Sequence, residues 1–353
     1  MDYEKEIKDL LETVIREGAS DLHISEKRHP TIRVSGSLIP LVKKEQLSTE
    51  DTRGILRKLV KPELEDIFEI NKEIDFSYEF EGKARFRGNA FFQQGHISIA
   101  LRLIPKVIKS IEELKLPSIL SDFARRKQGF FLVVGPVGQG KTTTLASMIE
   151  TINQERAEHI VTIEDPIEYA YDQKKSVIDQ REVKIDTKDF HSALVSTLRE
   201  DMNVIMVGEM RDAETMSAAV TAAETGHLVF STLHTNNAAQ TIDRIIDSFP
   251  PGQQEQIRIQ LAGSLIGVFS QRLIPRISGG RIPAYELLIA NDAVANLIRE
   301  KRVHEINTVI ETSSEQGMVD MNRCLADLVR AGEITIENAY KYAFKPKSLE
   351  KML

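Results

Sequence analysis

From Leu132 to Met148 the chain reads LVVGPVGQGKTTTLASM, in which Gly135, Gly140, Lys141 and Thr142 fit Gly-x4-Gly-Lys-Thr. An apolar, strand-like run precedes the loop and a helix-forming run follows it. Glycines let the backbone fold tightly, so that its N–H groups converge on an anion. The N-terminus of the next helix adds the positive end of its dipole. At this spacing Lys141 reaches the β- and γ-phosphates of a nucleotide, and the Thr142 hydroxyl holds Mg²⁺. Pro136, Val137, Gly138, Gln139 and Thr143 complete the candidate cradle. The expected ligands are ATP and Mg²⁺.

Hydrolysis needs an oriented water and stabilisation of charge on the γ-phosphate. Three later stretches carry suitable groups. TIEDPIE offers Glu164, Asp165 and Glu168, with Pro166 ending a strand so that Glu164 and Asp165 stand at its tip. A carboxylate there can orient or deprotonate water. NVIMVGEMRD ends a buried strand at Gly208, where a Mg²⁺-binding Asp is common, and continues into Glu209. Glu209 can still hold Mg²⁺ through water, while Arg211 and Asp212 read equally well as a surface pair. In TGHLVFSTLHTNNA, Thr232 and His234 are two apart and share a strand face, suited to sensing a γ-phosphate. His227 and His234 are seven apart, on opposite faces, which argues against a metal pair.

Groups at several strand tips need a parallel sheet to bring them together. GFFLVVG, HIVTIEDP, NVIMVGE and HLVFSTLH alternate with helical patterns, the signature of such a sheet covered by helices. From about Gln253 onward the pattern reads as mainly helical. The first hundred residues differ. Residues 3–17 form an amphipathic helix ending at Gly18. DLHIS and TIRVSGSLIPL alternate like half-buried strands, and Ser48 with Asp51 makes a capping box. EIDFSYEFEGKARFRGNAFFQQGHISIALRLIP reads as strands joined at Gly82 and Gly95. The expected organisation is α/β: an N-terminal α+β domain at 1–105, a charged linker at 106–117 and an ATPase domain at 118–353 with a helical C-terminal part.

The net charge of −7 argues against a dedicated nucleic-acid binder, so no nucleic-acid partner is expected. No apolar run reaches the roughly 18 residues of a membrane helix, and MDYEKEIKDLLE lacks the features of a signal peptide. A cytoplasmic protein is expected. The single cysteine, Cys324, excludes an internal disulfide and a four-cysteine zinc site, and it sits in a helical pattern as a small core residue.

GPVGQGKTTT, TIEDPIEY, LREDMNVIMVGEMRD and STLHTNNAAQTIDRIIDSFPPGQQEQIRIQLAGSLIGVFSQRLIP together resemble the Walker A, Asp-box, Walker B and His-box regions of the secretion-superfamily ATPases. The nearest likeness is to the type IV pilus retraction ATPases of twitching motility. ASDLHIS, QREV at 180–183 and ANLIREKRVHEI extend it along nearly the whole chain. The resemblance implies a homohexamer whose subunits have a PAS-like N-terminal and a RecA-like C-terminal domain. It implies Glu164 as catalytic carboxylate, Glu209 in an atypical Walker B strand and His234 in the His box. It also implies N-terminal arginines that approach the phosphates, here Arg87 and Arg102 ahead of Arg85. The implied work is pilus retraction at the inner membrane, through a platform protein there. The chain departs from the family pattern at Val195, Met202, Asn203 and Ala295. The alternatives are an accessory retraction motor, a DNA-pulling motor and a nucleotide-binding scaffold without turnover.

Overall fold

A computed structural model describes residues 2–34, 36–104 and 107–353. The expected boundary at 105/106 lies outside the described residues. By contacts the chain divides into two units, Met1–Val107 with Pro166–Ala170, and Ile108–Asp165 with Tyr171–Leu353.

In the first unit, helix α1 (Tyr3–Arg16) is capped by the Asp2 side chain and buries Ile7, Leu10, Leu11 and Val14. This spacing of three and four puts them on one face. Strands β1 (Asp21–Ser25), β2 (Thr31–Val34) and β3 (Ser37–Pro40) come next. Helix α2 (Thr49–Leu59) starts at the expected capping box of Ser48 and Asp51, and α3 (Pro62–Asn71) starts at a proline. The long strands β4 (Glu73–Phe80), β5 (Ala84–Gln93) and β6 (His96–Ile104) are joined by turns at Gly82 and Gly95, both at positive φ. The six strands form an antiparallel sheet in the order β3-β2-β1-β6-β5-β4. Alternation along β5 buries Ala84, Phe86, Gly88 and Ala90 and turns Arg85, Arg87 and Asn89 to the other face.

The second unit begins with Ile111 and Leu116 buried against α4 (Ile119–Ala124). Its sheet runs β13-β12-β7-β11-β10-β8-β9. The strands are β7 (Gly129–Val134), β8 (His159–Glu164), β9 (Val177–Glu182), β10 (Val204–Val207), β11 (Leu228–Leu233), β12 (Leu265–Pro275) and β13 (Arg281–Ile289). All pair in parallel except β13, which is antiparallel to β12. Helix α5 (Lys141–Glu155) packs on one face with α4, against Phe131 and Val133. Helices α6 (Phe190–Thr197), α7 (Ala213–Glu224), α8 (Ala238–Asp247), α9 (Pro251–Ser264), α10 (Asp292–Arg299) and α11 (Ile306–Thr312) cover the other, against Phe130, Leu132 and Val134. Alternate residues of one apolar strand thus enter two cores, as expected for a sheet buried on both faces. Helices α12 (Met321–Arg330), α13 (Ile336–Tyr342) and α14 (Pro346–Glu350) close a third cluster around Ile274, Ile282 and Cys324. The thiol is buried as expected, and burial pushes its pKa up to about 12.

The α/β class is as expected. The region after Gln253 is mainly helical, as expected, but it also holds a strand pair: LIGVFSQRLIP and RIPAYELLI are the paired strands β12 and β13. A strand buried on both faces shows no two-residue alternation, so its apolar run mimics a buried helix.

Candidate active site

The P-loop leaves β7 at Gly135 and enters α5 at Lys141. Gly135, Gly138 and Gly140 have φ of 146°, 76° and 80°, open to glycine and strained for other residues. Gly135 is also pinned, since a Cβ there would lie 2.5 Å from the Gln271 carbonyl oxygen. Gly140 occupies the N-cap of α5 and supplies no side-chain cap, which leaves the helix N-terminus to a ligand. Val137 is the exposed tip of the loop, 80% accessible. Pro136 and Gln139 are half-buried on either side of Val137 and Gly138. Thr142 and Thr143 follow in the first turn of α5, half-buried.

Lys141 is buried, and its Nζ donates to the carbonyls of Gly135 (2.8 Å) and Pro136 (3.0 Å). It also lies 3.2 Å from Nδ1 of His234. Nε2 of His234 lies 3.6 Å from Oε2 of Glu209. Glu209 in turn pairs with Arg211, whose guanidinium pKa that contact raises. Lys141, His234 and Glu209, distant in sequence, therefore meet at the end of the sheet. The surface pair of Arg211 and Asp212 does not form. Arg211 takes Glu209, and Asp212 caps α7 by accepting from the Thr215 N–H at 2.7 Å.

Glu164 is the last residue of β8 and is 4% exposed. Its Oε1 accepts from the hydroxyl of Thr162 (2.7 Å) and from Nε2 of Gln180 on β9 (3.2 Å). Two donors fix the carboxylate at the strand tip. Gln180 belongs to the QREV stretch, to which sequence alone gives no task. Asp165 turns to Lys184 at 3.7 Å. A side chain at 208 would be tightly placed. A Cβ there would sit 3.2 Å from the Ile163 carbonyl and 3.6 Å from Cα of Glu164. Gly208 N donates to that carbonyl at 2.8 Å, and the Thr232 hydroxyl donates to Gly208 O at 2.7 Å. Thr232 thus braces the β10 tip, while His234 lies beyond the end of β11 and does not share its task.

Among the residues at departures from the family pattern, Met202 is buried and the Asn203 side chain accepts from the His159 N–H at 2.8 Å. Beyond Gly140 opens a cleft of about 540 Å³, lined by Lys109, Leu114, Thr143, Thr144, Leu273 and Ile282 among others.

Arg87 and Arg102 stand opposite each other on β5 and β6 of the first unit. Arg87 Nη1 donates to Oε1 of Glu168 at 3.0 Å, within the Pro166–Ala170 stretch that groups with this unit. Arg102 Nε donates to Oδ1 of Asp21 at 2.9 Å, and Arg85 Nη2 donates to the Ser77 hydroxyl at 3.0 Å. Burial works to raise the Asp21 carboxyl, but hydrogen bonds from Ser20 and Arg102 outweigh it and hold the group below its ordinary value. Glu81, just after β4, pairs with Lys8 and Lys83.

A model of the family described as "Type II/IV secretion system protein" matches residues 2–280. A Neisseria gonorrhoeae relative named twitching motility protein is 47% identical over 91% of this chain and 86% of its own. A Pseudomonas aeruginosa relative named type IV pilus retractation ATPase PilT is 43% identical over 97% of this chain and 99% of its own. A crystal structure of the pilus retraction motor PilT with bound ADP superposes with a TM-score of 0.91 at 46% identity, covering 98% of this chain and 99% of that one. Family match, chain-long identity and common fold agree: this chain belongs to the type II/IV secretion system protein family.

Proposed function

We propose that the chain works as these relatives do: it is a pilus retraction ATPase, a P-loop motor that hydrolyses ATP to power type IV pilus retraction and twitching motility. The observation that carries this is the chain-long match to a retraction motor solved with ADP. The roles we assign to the site residues are supported by their geometry. Gly135 to Thr143 cradle the phosphates, and Lys141 leaves two backbone carbonyls to follow the γ-phosphate. The Thr142 hydroxyl and Glu209 hold Mg²⁺, which supplies charge neutralisation on the phosphates when bound. The site fits such an ion through its hydroxyl and carboxylate oxygens, the ligand type Mg²⁺ takes. Glu164, oriented by Thr162 and Gln180, activates water, and His234 senses the γ-phosphate. The cleft beyond Gly140 takes the nucleoside.

We read 1–105 as the N-terminal domain, 106–117 as linker and 118–353 as the motor. Arg87 and Arg102, held here by Glu168 and Asp21, are the arginines we assign to the phosphates. The motor is a homohexamer in the cytoplasm that docks on an inner-membrane platform protein. No helix among the described residues is long and apolar enough to cross a membrane. A second reading, an accessory retraction motor, has support from a Pseudomonas aeruginosa relative named type IV pilus ATPase PilU, 40% identical over 100% of this chain. The test is complementation of a deletion strain scored for surface pili and twitching. The wild-type gene restores retraction. Lys141→Ala, folded and hexameric, leaves pili extended and turns over no ATP. Normal twitching with Lys141→Ala would refute the proposal.

A further inference from the structure

Inside β12 the polar run Ser270-Gln271-Arg272 is buried as deeply as its apolar neighbours. Gln271 is 2% and Arg272 7% exposed. A buried guanidinium is costly without fixed partners, and in a strand apolar on both sides it serves no packing need. The partners are informative. Gln271 Nε2 donates to the carbonyl of Gln139 and Gln271 Oε1 accepts from the Thr144 hydroxyl, both at 2.7 Å. The next amide, Leu273 N, donates to Oε1 of Gln139 at 2.7 Å. One side chain and one amide thus hold the P-loop and the first turn of α5.

Ser270 and Arg272 point to the opposite face, as strand alternation requires. The Ser270 hydroxyl donates to the carbonyl of Asn236 at 2.7 Å. Arg272 Nη2 donates to the same carbonyl at 3.2 Å and to Asn236 Oδ1 at 2.9 Å, while Nη1 donates to the Gln271 carbonyl at 2.9 Å. The guanidinium lies 5.6 Å from the Phe344 ring, which backs it. Asn236 is two residues beyond His234, and Nη1 would stand 3.2 Å from a Cβ on Gly135.

We propose that residues 270–272 of β12 form a register clamp between the two phosphate-facing loops, and that Arg272 is a positioning residue for hydrolysis. Its fork holds the loop from His234 to Asn237 at a fixed offset from Gly135, so that His234 and Lys141 address one phosphate. Gln271 holds the P-loop itself. A lysine cannot replace the fork, because an ammonium is a point donor on a flexible stem. The inference rests on the assignment of His234 to the γ-phosphate.

The two halves of the clamp make different predictions. Arg272→Lys, and Asn236→Ala at an exposed position that tolerates change, should lower kcat about tenfold while ADP affinity is retained, since misplacement of one reacting group affects chemistry rather than the β-phosphate. Gln271→Ala should instead weaken ADP and ATP together. In a double-mutant cycle, Arg272→Lys should add nothing to His234→Ala, because both disable one loop. Wild-type kcat in both Arg272→Lys and Asn236→Ala would overturn the clamp. So would a His234→Ala enzyme in which Arg272→Lys multiplies the loss, or equal losses of ADP affinity and kcat in Arg272→Lys. Wild-type turnover by His234→Ala itself would overturn the γ-phosphate assignment, and the clamp with it.

Discussion

Glu286 lies 3% exposed on β13, opposite Ser270, and its Oε1 accepts from the Ala238 N–H at the start of α8. Burial raises its pKa from 4.5 to about 7, against that hydrogen bond and the Arg272 charge, and with help from Asp320 and Glu311. A carboxyl whose folded pKa lies above its unfolded value holds its proton more tightly when folded. Its stabilising share is therefore complete below about pH 4.5 and is lost as the pH rises through about 7. At about 1.4 kcal/mol per pKa unit, a rise from 4.5 to about 7 amounts to roughly 3 kcal/mol. Glu286→Gln keeps the acceptor oxygen for Ala238 and cannot ionise. Relative to wild type, the variant should therefore gain up to roughly 3 kcal/mol between pH 4 and pH 8, most of it above pH 5. Urea unfolding of both proteins by circular dichroism across that range gives the difference directly, with all other titrations common to the two. A difference that stays flat with pH, or that shrinks as the pH rises, would show that Glu286 is not a buried group ionising at the cost of the fold.

The two glutamates of the site should separate. Glu164→Gln keeps both donors, Thr162 and Gln180, but loses the base, so ATP should bind and persist at any Mg²⁺ level, whereas the defect of Glu209→Gln should ease as Mg²⁺ is raised. The same Mg²⁺ dependence of ATPase rate in both would sink that division. For the N-terminal arginines, Arg87→Ala and Arg102→Ala should retain nucleotide binding and lose turnover by tenfold or more, a fraction of the roughly 10³–10⁵ that a delivered arginine can supply. Wild-type rates in both would leave them as the partners of Glu168 and Asp21 and nothing more.

Local chemistry was written in the order of residues. The P-loop glycines announce their own backbone, Lys141 its position at the helix start, and Pro166 the end of β8, because each depends on a few neighbours along the chain. The Ser48–Asp51 box and the turns at Gly82 and Gly95 were legible for the same reason. The strands β12 and β13 were not, since burial on both faces erases the alternation that marks a strand. Their polar run, three hydrophilic residues inside an apolar stretch, was the one available signal. Partnership was decided only by tertiary structure. That Gln180 steadies Glu164, and that Gln271 and Arg272 hold two loops more than thirty residues away, depend on strand order. Parallel pairing brings residues together across long crossovers, and no spacing in the sequence encodes which strands become neighbours. The sequence alone determined which chemistry was present, because that resides in residue types and short spacings; the tertiary structure decided which group faces which, because that is fixed by packing.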